Sequence, residues 1–269
     1  MDQGLVIHAP HLGDSISPLS ENLLAGDQQD RLRNLATLLQ YRRGQTIYSQ
    51  GEETRYIYFI SSGIVRVFRS GVRGKRQIIS FRAPGDLCGL PETGLYVNSA
   101  EAVSAARIYR ISWQLFHHLM LSTPHLQQIL LRKVAADFHQ AQSLIMILGQ
   151  VNILHRVAAF LVNMMASTQF FDSQQSLLYL PMNRCDVADY LGTCSETAGR
   201  AFTKLENMEI IRRVTARRIK IIDEGRLRLM QRGPRRGNRG IGPPGLLEPD
   251  VRPLTQKITS DGGAYLGRS

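Results

Sequence analysis

The chain has 269 residues, with 33 Lys and Arg against 22 Asp and Glu and a formal net charge of +11. That length accommodates two cores, since domains cluster near roughly 100–150 residues, and the positive balance suits a polyanionic partner, either nucleic acid or an acidic membrane surface. Three cysteines without a C-x-x-C pair exclude a disulfide framework and a thiolate-rich metal site, and point to a reducing cytoplasm.

Met1 to Pro18 carries acidic and polar residues where a signal peptide needs a basic start and an apolar run, and no stretch is long enough to span a bilayer. A cytoplasmic protein with no membrane anchor is expected. Residues 1–26 read as a flexible arm, followed by a short helix over Asp27–Leu39. From Tyr41 to about Arg110, short runs such as "YIYFISS", "IVRVFRS" and "RQIISF" alternate apolar and polar residues, with Gly44, Gly51, Gly63, Gly71, Gly74, Gly85 and Gly89 between them. Period-two alternation broken by glycines is the pattern of antiparallel strands in a jelly roll. The expected unit is a β-roll sensor-like domain over residues 27–112.

The period turns helical at Trp113, with Pro124 as a first-turn residue, and continues unbroken to about Leu148, giving a dimerisation helix over 113–149. Leu131, Val134, Phe138, Ala141, Ile145 and Leu148 recur at alternating spacings of three and four, the seam of a two-stranded coiled coil. The competing reading is a stripe that packs on the protein's own roll. Ile129, Leu130 and Leu144, taken as outward, leave apolar surface for both partners.

Residues 150–230 then read as a winged helix-turn-helix. A helix from Asn152 to about Ala166 opens it, and a short strand follows at Leu177–Leu180. Asn183 caps a helix whose inward face is Val187, Ala188 and Leu191; Gly192 supplies the positive φ of a tight turn, and a second helix begins at Cys194 or Ser195. Ala198, Ala201, Phe202 and Leu205 lie on its buried face, and Ser195, Glu196, Gly199, Arg200 and Lys204 face outward. In a major groove Arg donates two hydrogen bonds to guanine and Glu accepts from cytosine, each good bidentate contact discriminating by about 1–3 kcal/mol. The bland alternative is an i,i+4 salt bridge on a solvated helix, worth about 0.2–0.5 kcal/mol. The basic ribbon Arg212, Arg213, Arg217, Arg218 and Lys220 favours the groove. Base-reading positions are thus Ser195, Glu196, Gly199 and Arg200; phosphate contacts are Thr193, Thr197, Lys204, Arg217 and Arg218. The remainder, 231–269, holds "GPRRGNRGIGPPG" and little apolar content, and reads as a disordered basic tail.

The segments "YIYFISSGIVRVF", "FRAPGDLCGL" and "SETAGRAFTKLE", in that order, resemble the Crp/Fnr family of bacterial transcription regulators over roughly residues 27–223. The resemblance implies a fold of class α+β, with an N-terminal cyclic-nucleotide-binding-domain-like roll, a long dimerisation helix and a C-terminal winged helix-turn-helix. It also implies a homodimer reading a TTGA-type inverted repeat of double-stranded DNA through Glu196 and Arg200, with RNA polymerase as protein partner. By alignment, Leu90 stands where nucleotide-binding members hold the ribose with Glu, and Asn98-Ser99 stands where they hold the cyclic phosphate with Arg-Ser. An uncharged Asn does not neutralise a buried phosphate, which argues against cyclic AMP. Residues 1–50 contain no Cys, so the family's N-terminal iron–sulfur cluster is not expected.

What remains is similar to the FixK-like branch, active in low-oxygen or nitrogen-metabolism control, with no cofactor, no catalytic residues and no metal. A haem or nitric-oxide sensor of the same family is the alternative, with His117, His118 and His125 near the roll. Cys185 and Cys194 flank the turn of the DNA-reading unit and are candidate redox-sensitive residues, Cys194 standing at a helix N-terminus that favours thiolate; small buried fillers are the other reading. A cupin-like metalloenzyme would need His ligands on the roll, and residues 41–110 contain none. A membrane-surface regulator using the basic tail is a further rival.

Overall fold

The computed structural model describes residues 5–6, 35–71, 74–91 and 94–231. Nine strands form two antiparallel sheets at its start: β1 (Leu5–Val6), β2 (Thr37–Tyr41), β3 (Thr46–Tyr48), β4 (Tyr56–Ser62), β5 (Val65–Ser70), β6 (Arg76–Arg82), β7 (Leu87–Cys88), β8 (Ser99–Ala102) and β9 (Ala106–Ser112). One sheet runs β1-β2-β9-β4-β7 and the other β3-β8-β5-β6. The alternation of the sequence sets their faces: Leu39, Tyr41, Val65, Val67, Ala100, Ala102 and Ile108 point inward and are buried. Gly63 turns β4 into β5 with φ 82°, and a Cβ there would lie 2.3 Å from the Ala105 carbonyl oxygen, so only glycine fits.

The helix expected over Asp27–Leu39 is corrected in part. Thr37–Tyr41 is a strand, because Leu39 and Tyr41 bury at period two and pair with Ile108 and Ala106 of β9; residues 27–34 lie outside the described residues. The arm expected over 1–26 contributes Leu5–Val6, paired with Leu39–Gln40, and its other residues, like the tail from Arg232, lie outside the described residues.

The unbroken helix from Trp113 is two helices, α1 (Trp113–Ser122) and α2 (Pro124–Leu148). Pro124 has no N–H to continue the first helix and instead opens the second. Ile129 and Leu144, expected outward, are buried, and Leu130 packs half-buried against the roll cluster of Ile57, Phe59, Phe116 and Leu126. The opposite side carries the seam: Leu131, Phe138 and Ile145 are 70%, 61% and 68% exposed, with Val134 also exposed and Ala141 and Leu148 half-buried.

The Gly149–Asn152 linker leads into α3 (Ile153–Met165), whose N-terminus Asn152 caps by accepting from the Leu154 amide at 2.9 Å. Then come β10 (Phe171–Asp172), β11 (Leu177–Tyr179), α4 (Arg184–Leu191), α5 (Ser195–Asn207), β12 (Ile211–Arg213), β13 (Arg218–Ile221) and α6 (Glu224–Gln231). Strands β10-β11-β13-β12 make a third antiparallel sheet. Helix α6 was not anticipated from the sequence; it packs through the fully buried Leu227 at the edge of the same core.

That core is continuous: Ile78 and Phe81 from the roll join Phe160, Leu161, Leu191, Phe202 and Leu205. Phe160 is fully buried, so Phe160→Ala removes both transfer energy and packing and should cost about 3–5 kcal/mol, read as a lowered midpoint in chemical denaturation. A midpoint unchanged within error would remove Phe160 from the core's supports.

Candidate nucleic-acid interface

The interface is assembled by helix ends. Asn183 and Asp186 form a reciprocal cap on α4: the Asn183 side chain accepts from the Asp186 amide at 2.8 Å, and the Asp186 carboxylate accepts from the Asn183 amide at 3.2 Å. Gly192 ends α4 with φ 63° and ψ 40°, the left-handed turn that reverses the chain into α5. Val187, Ala188 and Leu191 of α4 and Ala198, Ala201, Phe202 and Leu205 of α5 are buried, so α5 has one free face. That face presents Ser195, Glu196, Arg200 and Lys204 to solvent, with Gly199 half-buried between them.

Arg200 Nη2 donates to Glu196 Oε1 at 2.6 Å, with the two side chains 80% and 73% exposed. The i,i+4 bridge is therefore the resting arrangement of this pair, and an exposed bridge worth about 0.2–0.5 kcal/mol is a small cost against base contacts several times stronger. Thr193 and Thr197 are half-buried at the start of the helix. The ribbon follows β period: Ile211, Ile219 and Ile221 are buried while Arg212, Arg217, Arg218 and Lys220 are exposed. Arg213 is different, since it clamps α5 to the wing: its amide donates to Glu206 Oε1 at 2.9 Å, its guanidinium pairs with the same carboxylate, and these bonds hold Glu206 below the usual carboxylate range.

A cleft of about 210 Å³ joins the two halves of this surface, lined among others by Asn183, Arg184, Gly199, Phe202 and Arg217. Arg184, not singled out in the sequence, lines this cleft. Its signal is electrostatic: a cation at the first position of a helix opposes the macrodipole, a placement that helix stability does not favour.

Within the roll, a second cavity of about 140 Å³ is lined by Tyr48, Arg82, Cys88, Leu90, Tyr96, Asn98 and Asp137, among others. Tyr48 stacks on Tyr96 at 4.2 Å between centroids, and Arg82 is ion-paired with Asp137 of α2. The cavity is about half the lower bound of ordinary ligand pockets, near 300 Å³, and its cation already has an anion; the residues present do not fit a cyclic nucleotide. His117, His118 and His125 lie exposed on α1 and α2.

Cys185 and Cys194 are exposed and Cys88 is buried. The Thr197 hydroxyl, 3.0 Å from Cys194 Sγ, and then the Thr197 amide stabilise the thiolate and hold Cys194 below the ordinary thiol range, whereas burial pushes Cys88 up to about 12. Alkylation of Cys194 in the native protein should therefore rise with pH to a plateau reached below the pH an ordinary cysteine needs, and Thr197→Val should move that midpoint upward. Cys88 should stay unmodified until the protein unfolds. A Cys194 midpoint at the ordinary value would remove the Thr197 contribution.

Residues 38–123 match the model of a cyclic nucleotide-binding domain and residues 155–230 that of a Crp-like helix-turn-helix domain. The nitrogen fixation regulation protein FixK of Rhizobium meliloti is 32% identical over 188 residues, which covers 70% of this chain and 84% of the relative. The transcriptional activator protein FnrA of Stutzerimonas stutzeri is 28% identical over 210 residues, 77% of this chain and 84% of its own. The structure of FixK2 from Bradyrhizobium japonicum superposes with a TM-score of 0.67 at 29% identity, covering 72% of this chain and 96% of that one. Crp/Fnr helix-turn-helix regulators bind DNA and typically function as dimers. With a roll, a two-faced helix and a reading head in the same order, and relatives at this identity along most of its length, the chain belongs to the Crp/Fnr family of DNA-binding transcription regulators, among the relatives of FixK.

Proposed function

We propose that this chain is a homodimeric transcription activator that reads a TTGA-type inverted repeat in low-oxygen or nitrogen-metabolism control, without a cyclic nucleotide or an iron–sulfur cluster. The observation that carries the reading is the free face of α5, where Glu196 and Arg200 stand one turn apart beside the exposed arginines of the wing. Arg200 and Glu196 read base edges with Ser195 and Gly199; Thr193, Thr197, Lys204, Arg217 and Arg218 contact phosphates, and Arg184 joins them across the cleft. The relatives named as activators, and those named for nitrogen fixation, support the direction and setting of control.

The dimer forms along α2. Leu131, Val134, Phe138 and Ile145 are large, apolar and exposed in one copy, and each gains about 1.5–3 kcal/mol when fully buried, so two such stripes associate without a trigger. Dimer symmetry then sets the two α5 helices toward successive major grooves about one helical turn apart. RNA polymerase is the protein partner of such an activator. Oxidation of exposed Cys194 or Cys185 would add bulk or charge beside the phosphates and lower binding.

The reading is tested by binding of purified, reduced, ligand-free protein to a TTGA inverted repeat and to a scrambled duplex at near-physiological salt. A preference of about a thousandfold is expected; equal binding overturns it. In the same assay Arg200→Ala should lose discrimination at one base pair, at a cost of about 1–3 kcal/mol, while Arg217→Ala should weaken all sequences alike and reduce the salt slope by about one. Equal effects of the two changes would overturn the assigned roles. Phe138→Asp should give a monomer by sedimentation, and a stable dimer would move the interface elsewhere.

A further inference from the structure

Strands β5 and β6 of the roll carry two arginines that end on the first helix of the reading head. Arg66 Nη1 donates to Asp186 Oδ1 at 2.8 Å, and Arg76 Nη2 reaches the same oxygen at 3.0 Å. Arg76 also lies 2.7 Å from Asp189 Oδ2, and the other side of the Arg66 guanidinium is paired with Glu101 on β8. Asp186 is 1% exposed. Nearby, Gln77 Nε2 donates to the Tyr190 carbonyl at 3.1 Å.

A carboxylate removed from water is expensive unless it is paired, and one already used in a helix cap has no need of two arginines from another domain. The cap alone would be served by an exposed Asp. The geometry has a second use: α4 is followed by α5 through only Gly192, Thr193 and Cys194, so whatever fixes α4 fixes the reading helix. The only covalent tie between α2 and the head is the linker Gly149–Asn152, and it is pinned as well. Arg156 Nε donates to the Gln150 carbonyl at 2.7 Å and its Nη1 to the Leu191 carbonyl at 3.1 Å. Charge and hinge thus hold the head at two points while leaving Arg200 and Glu196 exposed, so the held state is open to DNA.

We infer that Arg66, Arg76, Asp186 and Asp189 form an ionic latch that positions the helix-turn-helix on the roll, pre-setting the separation of the two reading helices in the dimer without an effector. The inference rests on the proposed dimeric reading of an inverted repeat. The latch residues touch no base; they act through α4. A latch that holds nearly every molecule in the competent orientation removes the affinity penalty that a partly populated state would carry, and opening it to about one molecule in ten lowers the apparent affinity tenfold.

The test uses the full chain with Asp186→Asn, which keeps an acceptor for the Asn183 amide, and separately with Arg76→Met, on a side chain that is only part-buried. Hydrogen exchange without DNA should be at least tenfold faster at residues 149–152 and 190–192 in both variants, with the amides of α3 and α5 still protected. Affinity for the best-bound inverted repeat should fall about tenfold, and the ratio between that repeat and one whose spacer is longer by one base pair should shrink. Parent-like exchange in both variants overturns the latch. Looser exchange with an unchanged spacer ratio, or loss of protection throughout α3 and α5, reduces the network to stability and overturns its positioning role. Should the parent fail to distinguish the repeat from a scrambled duplex, the DNA reading fails, and the exchange measurement still decides the latch.

Discussion

One buried carboxylate connects the parts of this molecule. Asp186 closes the N-terminal cap of α4 through the Asn183 amide and receives two guanidinium groups from the roll. Each contact offsets part of the same desolvation penalty, so none is independent of the others. Remove the roll's arginines and the cap holds an uncompensated charge; remove the cap and the arginines lose the oriented oxygen they meet. The start of α4 and its contact with the roll are therefore coupled through a single side chain.

The long helix shows a related economy of faces. On one side Ile129 and Leu144 bury against the protein, and on the other Leu131, Val134, Phe138 and Ile145 stay exposed. Between these faces Lys133 pairs with Asp86 at 3.1 Å and Asp137 with Arg82, fastening the helix to the roll beside the small cavity that Arg82 and Asp137 line. The Arg82–Asp137 pair and the contacts of Arg66 and Arg76 with Asp186 share one feature: in each, side chains distant in sequence join the roll to a helix.

Much of this was legible in the residues. The caps and turns are local: Asn183 and Gly192 act through backbone groups within a few residues, so capping and positive φ follow from side-chain chemistry alone. The faces of α5 and of the wing follow from periods of 3.6 and two, which hold wherever one face is buried. Thr37–Tyr41 misled because a short apolar run satisfies helix and strand alike until a partner strand, here β9, supplies its hydrogen bonds. The break at Pro124 was visible as a start but not as the end of a separate α1, since a first-turn proline is compatible with the period continuing across it.

The amino-acid sequence by itself determined the order of the parts, the capped turn, the outward Glu196 and Arg200 and the basic ribbon, because each depends on interactions spanning a few residues. Only the tertiary structure decided which side of α2 is covered, that Arg82 meets Asp137, and that Arg66 and Arg76 converge on Asp186. Those partners lie 55, 120 and 110 residues apart in sequence. Charge pairing over such separations carries no period and no local preference; it exists only once the packing of the apolar core has brought the chains together.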